Sequence, residues 1–187
     1  DGNRFQMETS INDSLMVVAQ VYIDNYDEAL ESIEDVKRAL LVALIDRKFN
    51  TYFSKVDALV RKTDHDKYFI VFRHEHLKAL KADKFSILED VKTVKVGNTM
   101  AVTLSMGIGD TAASYSQNNE YSRMAIDLAL GRGGDQVVLR EGEKVTYFGG
   151  KAQQVERNTR VKARVKAHAL RGIIESKERV IVMGHQI

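Results

Sequence analysis

The chain has 187 residues, 44% of them hydrophobic, a formal net charge of +2, and neither cysteine nor proline. That length holds one ordinary core plus a tail, and so small a charge excludes a long-range field for nucleic acid. Missing thiols exclude disulfides and cysteine–zinc sites and fit a reducing compartment, with the cytoplasm as the default.

Residues 1–13 show no sustained period and read as a connector from a preceding domain. The apolar runs at 15–19 and 39–45 fall far short of the ~20 residues of a membrane span, and no signal-peptide pattern opens the chain. Residues 15–23 are rich in β-branched side chains and predict a buried strand, ended by Asp24 and Asn25. Asp24 also suits a helix cap, with Asp27 and Glu28 in the first turn at the positive end of the helix dipole. The helix that follows should place Ala29, Leu30, Ile33, Val36, Leu40, Leu41, Leu44 and Ile45 on one stripe covering a sheet.

Val56, Ala58 and Val60 alternate, residues 68–72 are continuously apolar, and the polar stretch 63–67 should join the two as a hairpin. Residues 75–92 have helical spacing with a break near Asp83. Residues 100–108 alternate most cleanly and predict a strand. A helix is expected over 121–130, stopping at Gly131, and a closing hairpin over 137–140 and 144–148. The order describes an α+β domain with a mostly antiparallel central sheet covered by helices, spanning residues 14–150. Residues 151–187 read as a basic amphipathic connector helix followed by one strand, 179–183, whose partners lie in a further domain.

Several stretches resemble one family. Ile23-Asp24-Asn25-Tyr26-Asp27 resembles the D-x-D-x-F-K segment of GGDEF cyclases, and residues 103–109 (TLSMGIG) resemble their T-x-S-x-G strand. Residues 127–137 (DLALGRGGDQV), 147–151 (YFGGK), 159–165 (TRVKARV) and 183–185 (MGH) are more particular and resemble the GdpP/YybT type of cyclic-di-AMP phosphodiesterase. The resemblance implies a degenerate GGDEF domain with the ferredoxin-like βαββαβ core of nucleotide cyclases, then a connector and the start of a DHH domain. It implies a parent anchored on the cytoplasmic side of the membrane, with PAS and DHH/DHHA1 domains in the same chain. That parent hydrolyses cyclic di-AMP to pApA with manganese.

Aligned with the cyclase motifs, Asp24 matches the second Asp of D-x-D while Tyr22 replaces the metal-binding first one. Asp64-His65-Asp66-Lys67-Tyr68 stands where G-G-D-E-F is expected, so Asp66 alone survives as a ligand, magnesium being the ion in question, and Lys67 replaces the Glu. The base-selecting Asn falls at Leu30, and Lys55-Val56-Asp57-Ala58 stands where the inhibitory R-x-x-D would be. Asp24, Asp66 and Lys67 are thus the candidates for weak nucleotide binding, the alternative function being slow binding or hydrolysis of a triphosphate such as ATP. Lys67 is expected to pair with Asp24 or Asp66. His185, in the G-H of a DHH motif, is the implied manganese ligand of the parent; the fragment itself holds no complete catalytic site and requires no cofactor.

Plainer readings stand beside these. His74 and His76 suit a solvated helix start, the 132–135 turn a tight structural turn rather than a phosphate nest, and the basic connector a hydrated helix face rather than a nucleic-acid surface. A homodimer is open to such a domain; membrane contact by the fragment is not expected.

Overall fold

The computed structural model describes residues 16–31, 33–111, 113–150 and Arg171. The expected connectors at 1–13 and 151–187, with the strand carrying His185, otherwise lie outside the described residues.

Six strands form one sheet in the order β2-β3-β1-β4-β5-β6: β1 (Met16–Ile23), β2 (Leu59–Asp64), β3 (Lys67–Arg73), β4 (Leu104–Asp110), β5 (Gln136–Glu141) and β6 (Lys144–Gly149). Every pairing is antiparallel except β4 with β5, so the α+β expectation holds. The helices are α1 (Tyr26–Glu31), α2 (Asp35–Ser54), α3 (His74–Ala82), α4 (Ile87–Lys92) and α5 (Tyr115–Gly131). None among the described residues is long and apolar enough to cross a membrane.

Alternation along β1 assigns its faces. Val17, Ala19, Val21 and Ile23 join the large core with Leu41, Ile45, Phe49 and Phe53 of α2 and Ile87 and Val91 of α4. Side chains of this size each contribute roughly 1.5–3 kcal/mol on burial. On the other face lies α5, and β4 lets it approach through Gly107 and Gly109. A Cβ on Gly107 would stand 2.1 Å from Ile126 N, and one on Gly109 2.0 Å from Asn118 O. The alternating small residues of the TLSMGIG strand are therefore a helix seat.

The structure corrects several sequence expectations. The first helix is two helices: Ile33 turns into the core, 4% exposed, and Glu34 is extended with ψ 146° before α2 begins. That break resets the helical phase, so Val36 and Leu40 face solvent, while Leu41, Ile45, Phe49, Tyr52 and Phe53 are buried. β2 starts at Leu59, leaving Val56 buried beyond the end of α2, and its hairpin to β3 closes through His65 and Asp66 alone. Residues 100–103 are not strand; Asn25 and Asn98 hold this segment through bonds to Ala101 O, Thr103 N and Met100 O. α5 begins at Tyr115, six residues before the predicted start, because Ser114 Oγ accepts the Gln117 N–H as an N-cap.

Candidate functional site

At one end of the sheet β1, the β2–β3 hairpin and β4 converge. The Ile23 N–H donates to Asp66 O at 2.9 Å and the Asp24 N–H to Thr103 O at 3.0 Å. The hairpin tip and the segment before β4 are thus both fastened to the end of β1.

Asp24 is 6% exposed. Ser105 Oγ donates to its Oδ1 at 2.7 Å, and the Asp135 N–H donates to its Oδ2 at 2.9 Å. Burial outweighs these bonds and pushes the carboxyl up to about 6. The carboxylate therefore caps the turn between α5 and β5 rather than the helix that follows it in sequence. In that turn Gly133, Gly134 and Asp135 have φ of 107°, 77° and 55°. A Cβ on Gly134 would lie 2.8 Å from Asp24 Oδ2. Its three N–H groups donate to Leu130 O, Ala129 O and Asp24, so this concavity is filled by the protein's own acceptors, as the structural-turn reading expects.

Tyr22 and Lys67, which the motif resemblance aligns with two cyclase carboxylates, are direct register partners on β1 and β3. The Lys67 ammonium sits 5.1 Å from the centroid of the Tyr22 ring and 3.9 Å from Asp64 Oδ2. The expected pairing with Asp24 or Asp66 is replaced by these contacts, Asp24 being engaged by Ser105 and Asp135. Burial first, then the charge of Asp127, raises the Tyr22 hydroxyl above its ordinary value of 10, with Arg123 opposing.

At the hairpin tip Asp64, His65 and Asp66 place donor atoms within 4.8 Å of one another. His65 Nδ1 lies 2.7 Å from Asp64 Oδ1, and Nε2 lies 3.8 Å from Asp66 Oδ1 and 4.0 Å from Asp27 Oδ1. Tyr26 packs edge-on against the imidazole at 5.1 Å. The His65 backbone N–H and ring together hold the Asp64 carboxyl below its ordinary value. Asp64 and His65 are exposed, as a loop reading expects, but Asp66 is buried at 5%. Leu30, at the base-selecting position, packs against the core.

One pair escaped the sequence. His74, expected to be solvated, places Nδ1 2.8 and 3.0 Å from the two carboxylate oxygens of Asp110, which is fully buried at the far end of β4. His76 Nε2 lies 3.7 Å from Oε1 of the neighbouring Glu75.

Compared with known proteins, residues 21–147 match the family model "Cyclic-di-AMP phosphodiesterase GdpP-like, GGDEF domain". The chain belongs to this family. Curated relatives include the cyclic-di-AMP phosphodiesterase GdpP of Geobacillus thermodenitrificans, 36% identical over 91% of this chain. GdpP of Bacillus subtilis is 33% identical over 98%, and PdeA of Listeria monocytogenes 35% over 91%. The chain spans only 26–28% of the length of these relatives. Among solved structures, the active GGEEF domain of a diguanylate cyclase from Vibrio cholerae superposes with a TM-score of 0.56 at 12% identity, covering 73% of this chain and 89% of that one. The GGDEF domain of DgcB from Caulobacter crescentus gives 0.57 at 12% identity, covering 73% and 81%. Identities this low establish the shared fold.

In the GGDEF cyclases that the motifs resemble, paired carboxylates would hold two metal ions such as magnesium. The residues of this chain do not fit a pair of ions, because an aromatic ring and an ammonium stand where two acidic ligands are needed. The donor set that does fit a single hard cation is the hairpin tip, through Asp64, Asp66 and His65.

Proposed function

We propose that this domain is a regulatory and positioning module of a cyclic-di-AMP phosphodiesterase and makes no cyclic di-GMP. The observation that carries the reading is Lys67 lying over Tyr22 at matched positions of β1 and β3. A cyclase needs two metal ions to neutralise a triphosphate and activate the attacking hydroxyl. A fixed ammonium against a ring repels such ions and offers them no ligand. Asp24, sealed under Ser105 and the 133–135 turn, is not presented to one either.

On this reading the hydrolysis of cyclic di-AMP to pApA belongs to a DHH/DHHA1 domain that begins in residues 179–187. There His185 would serve a manganese centre; manganese supplies the activated water for hydrolysis. The domain's partners are then its DHH and PAS neighbours, in a membrane-anchored chain facing the cytoplasm. Incubated with GTP and magnesium or manganese, the chain should leave GTP uncyclised. Cyclic di-GMP appearing at a rate that falls on Asp66→Ala would overturn the proposal.

The hairpin-tip cluster favours a second reading, in which Asp66, with Asp64 and His65, holds one cation under a triphosphate and Lys67 meets a phosphate oxygen. With the apolar Leu30 packed against the core at the base-selecting position, that binding is base-tolerant. Calorimetry with ATP and GTP decides it, since a strong guanine preference needs a dedicated hydrogen-bonding partner.

A further inference from the structure

The segments that follow β1 and β6 meet at one residue, Asp135. Its backbone is left-handed, φ 55°, a region uncommon outside glycine that Asp enters more readily than most residues, and it is gripped at three points. Its N–H donates to Asp24 Oδ2 at 2.9 Å. Its carbonyl accepts the Gly150 N–H at 3.1 Å. Its Oδ2 lies 2.7 Å from the ammonium of Lys92 on α4.

Gly149 and Gly150 are left-handed too, φ 73° and 63°. A Cβ on Gly149 would come within 2.7 Å of Leu88 Cδ1 and 3.3 Å of Asp135 O. The backbone therefore turns out of the sheet directly against Asp135. On the other side, Asp24 follows Ile23, whose N–H holds the hairpin tip through Asp66 O. A short covalent and hydrogen-bonded route runs from Asp66 through Ile23 and Asp24 to Asp135 and Gly150.

We infer that Asp135 is a positioning residue that ties the hairpin-tip site to the point where the chain leaves toward residues 151–187. Left-handed residues held by their surroundings cluster at active sites, ligand clamps and switch regions. Here one arrangement has the Asp24–Asp135 bond made and Gly150 held, and the other has both released. A ligand at the hairpin tip shifts the balance only by favouring one of them. The inference takes its purpose from the regulatory reading, but its test needs neither nucleotide nor catalysis: cyclic di-GMP synthesis would overturn that reading and leave the tie standing.

The experiment is residue-resolved amide hydrogen exchange on the 187-residue chain. Asp24→Ala should speed exchange at Asp135 and Gly150 by about tenfold while Ile70, at the middle of β3, stays close to its original rate. Asp24→Asn retains an acceptor for the Asp135 N–H and should restore both. Faster exchange at Asp135 with Gly150 unchanged, or equal acceleration at Ile70, would overturn the tie. Should Asp24→Ala fail to fold, Lys92→Met leaves Asp24 in place and removes one of the three grips. It should release the Gly150 amide over Ile70, and an unchanged Gly150 rate there would equally sink the inference.

Discussion

Replacing Asp24 with Asn should change how stability depends on pH. In the folded chain this carboxyl titrates at about 6 against an ordinary 3.8, because burial disfavours its charge. The folded state thus holds the proton more tightly than the unfolded one. Its favourable contribution is complete below about pH 3.8 and is lost as pH rises through about 6. The whole difference corresponds to about 3 kcal/mol, of which about 2 kcal/mol falls between pH 4 and pH 7. Asn stays neutral throughout, and its carbonyl can accept from the Asp135 N–H while its amide donates to Ser105 Oγ, whose hydroxyl can rotate. Urea unfolding of both proteins in steps from pH 4 to 7.5 gives the difference curve. The stability of Asp24→Asn relative to the parent chain should climb by about 2 kcal/mol over that interval. Parallel curves would mean that Asp24 is already ionised at low pH, and the argument from burial would fail.

Gly107→Ala drives a methyl group into backbone atoms of α5, at 2.1 Å from Ile126 N and 2.4 Å from Ser122 O. Neither can rotate away, so the cost should exceed about 3 kcal/mol and lower the melting midpoint by about 10 °C or more; a shift under about 2 °C would show that α5 is not seated there. His74→Ala strips the buried Asp110 of its imidazole partner. The expected loss in urea unfolding is about 2 kcal/mol, below the range for a fully buried pair because the ring is 43% exposed. A loss under about 0.5 kcal/mol would argue that water satisfies Asp110 instead.

Strand and helix identities were legible because they are local. The alternation in β4 and the apolar run of β3 state their faces directly, and the motif alignment led to the convergence of Tyr22, Asp66 and Lys67 at one sheet end. The register that makes Tyr22 and Lys67 neighbours belongs to β1 and β3, which no hairpin joins, so it could not be read from the two-residue turn between β2 and β3. What sequence could not show lies in contacts between distant segments. The partners of Asp24 are 81 and 111 residues away, so its polar surroundings and the raised carboxyl were invisible, and the adjacent helix offered a plausible but mistaken role. His74 and Asp110, 36 residues apart, were separated in the same way. The break between α1 and α2 was hidden because Leu30, Ile33 and Val36 continue a helical spacing through it. A signal for the earlier start of α5 was present in Ser114 and Gln117, a capping pair three residues apart, ahead of a polar first turn that carries no apolar stripe.

The stacking of Lys67 on Tyr22 also bears on what a pair of acidic ligands would require at this end of the sheet. Changing Tyr22 alone to Asp would place the new carboxylate beside the ammonium, which would engage it as an ion pair and leave little for a metal. Changing Lys67 alone to Glu would set a negative charge against the negative face of an aromatic ring, with no acid at position 22 to share an ion. Neither single change therefore supplies a pair of acidic ligands, and both positions would have to change together. Tyr22 and Lys67 thus hold one another in place, each blunting the effect that a change at the other would have.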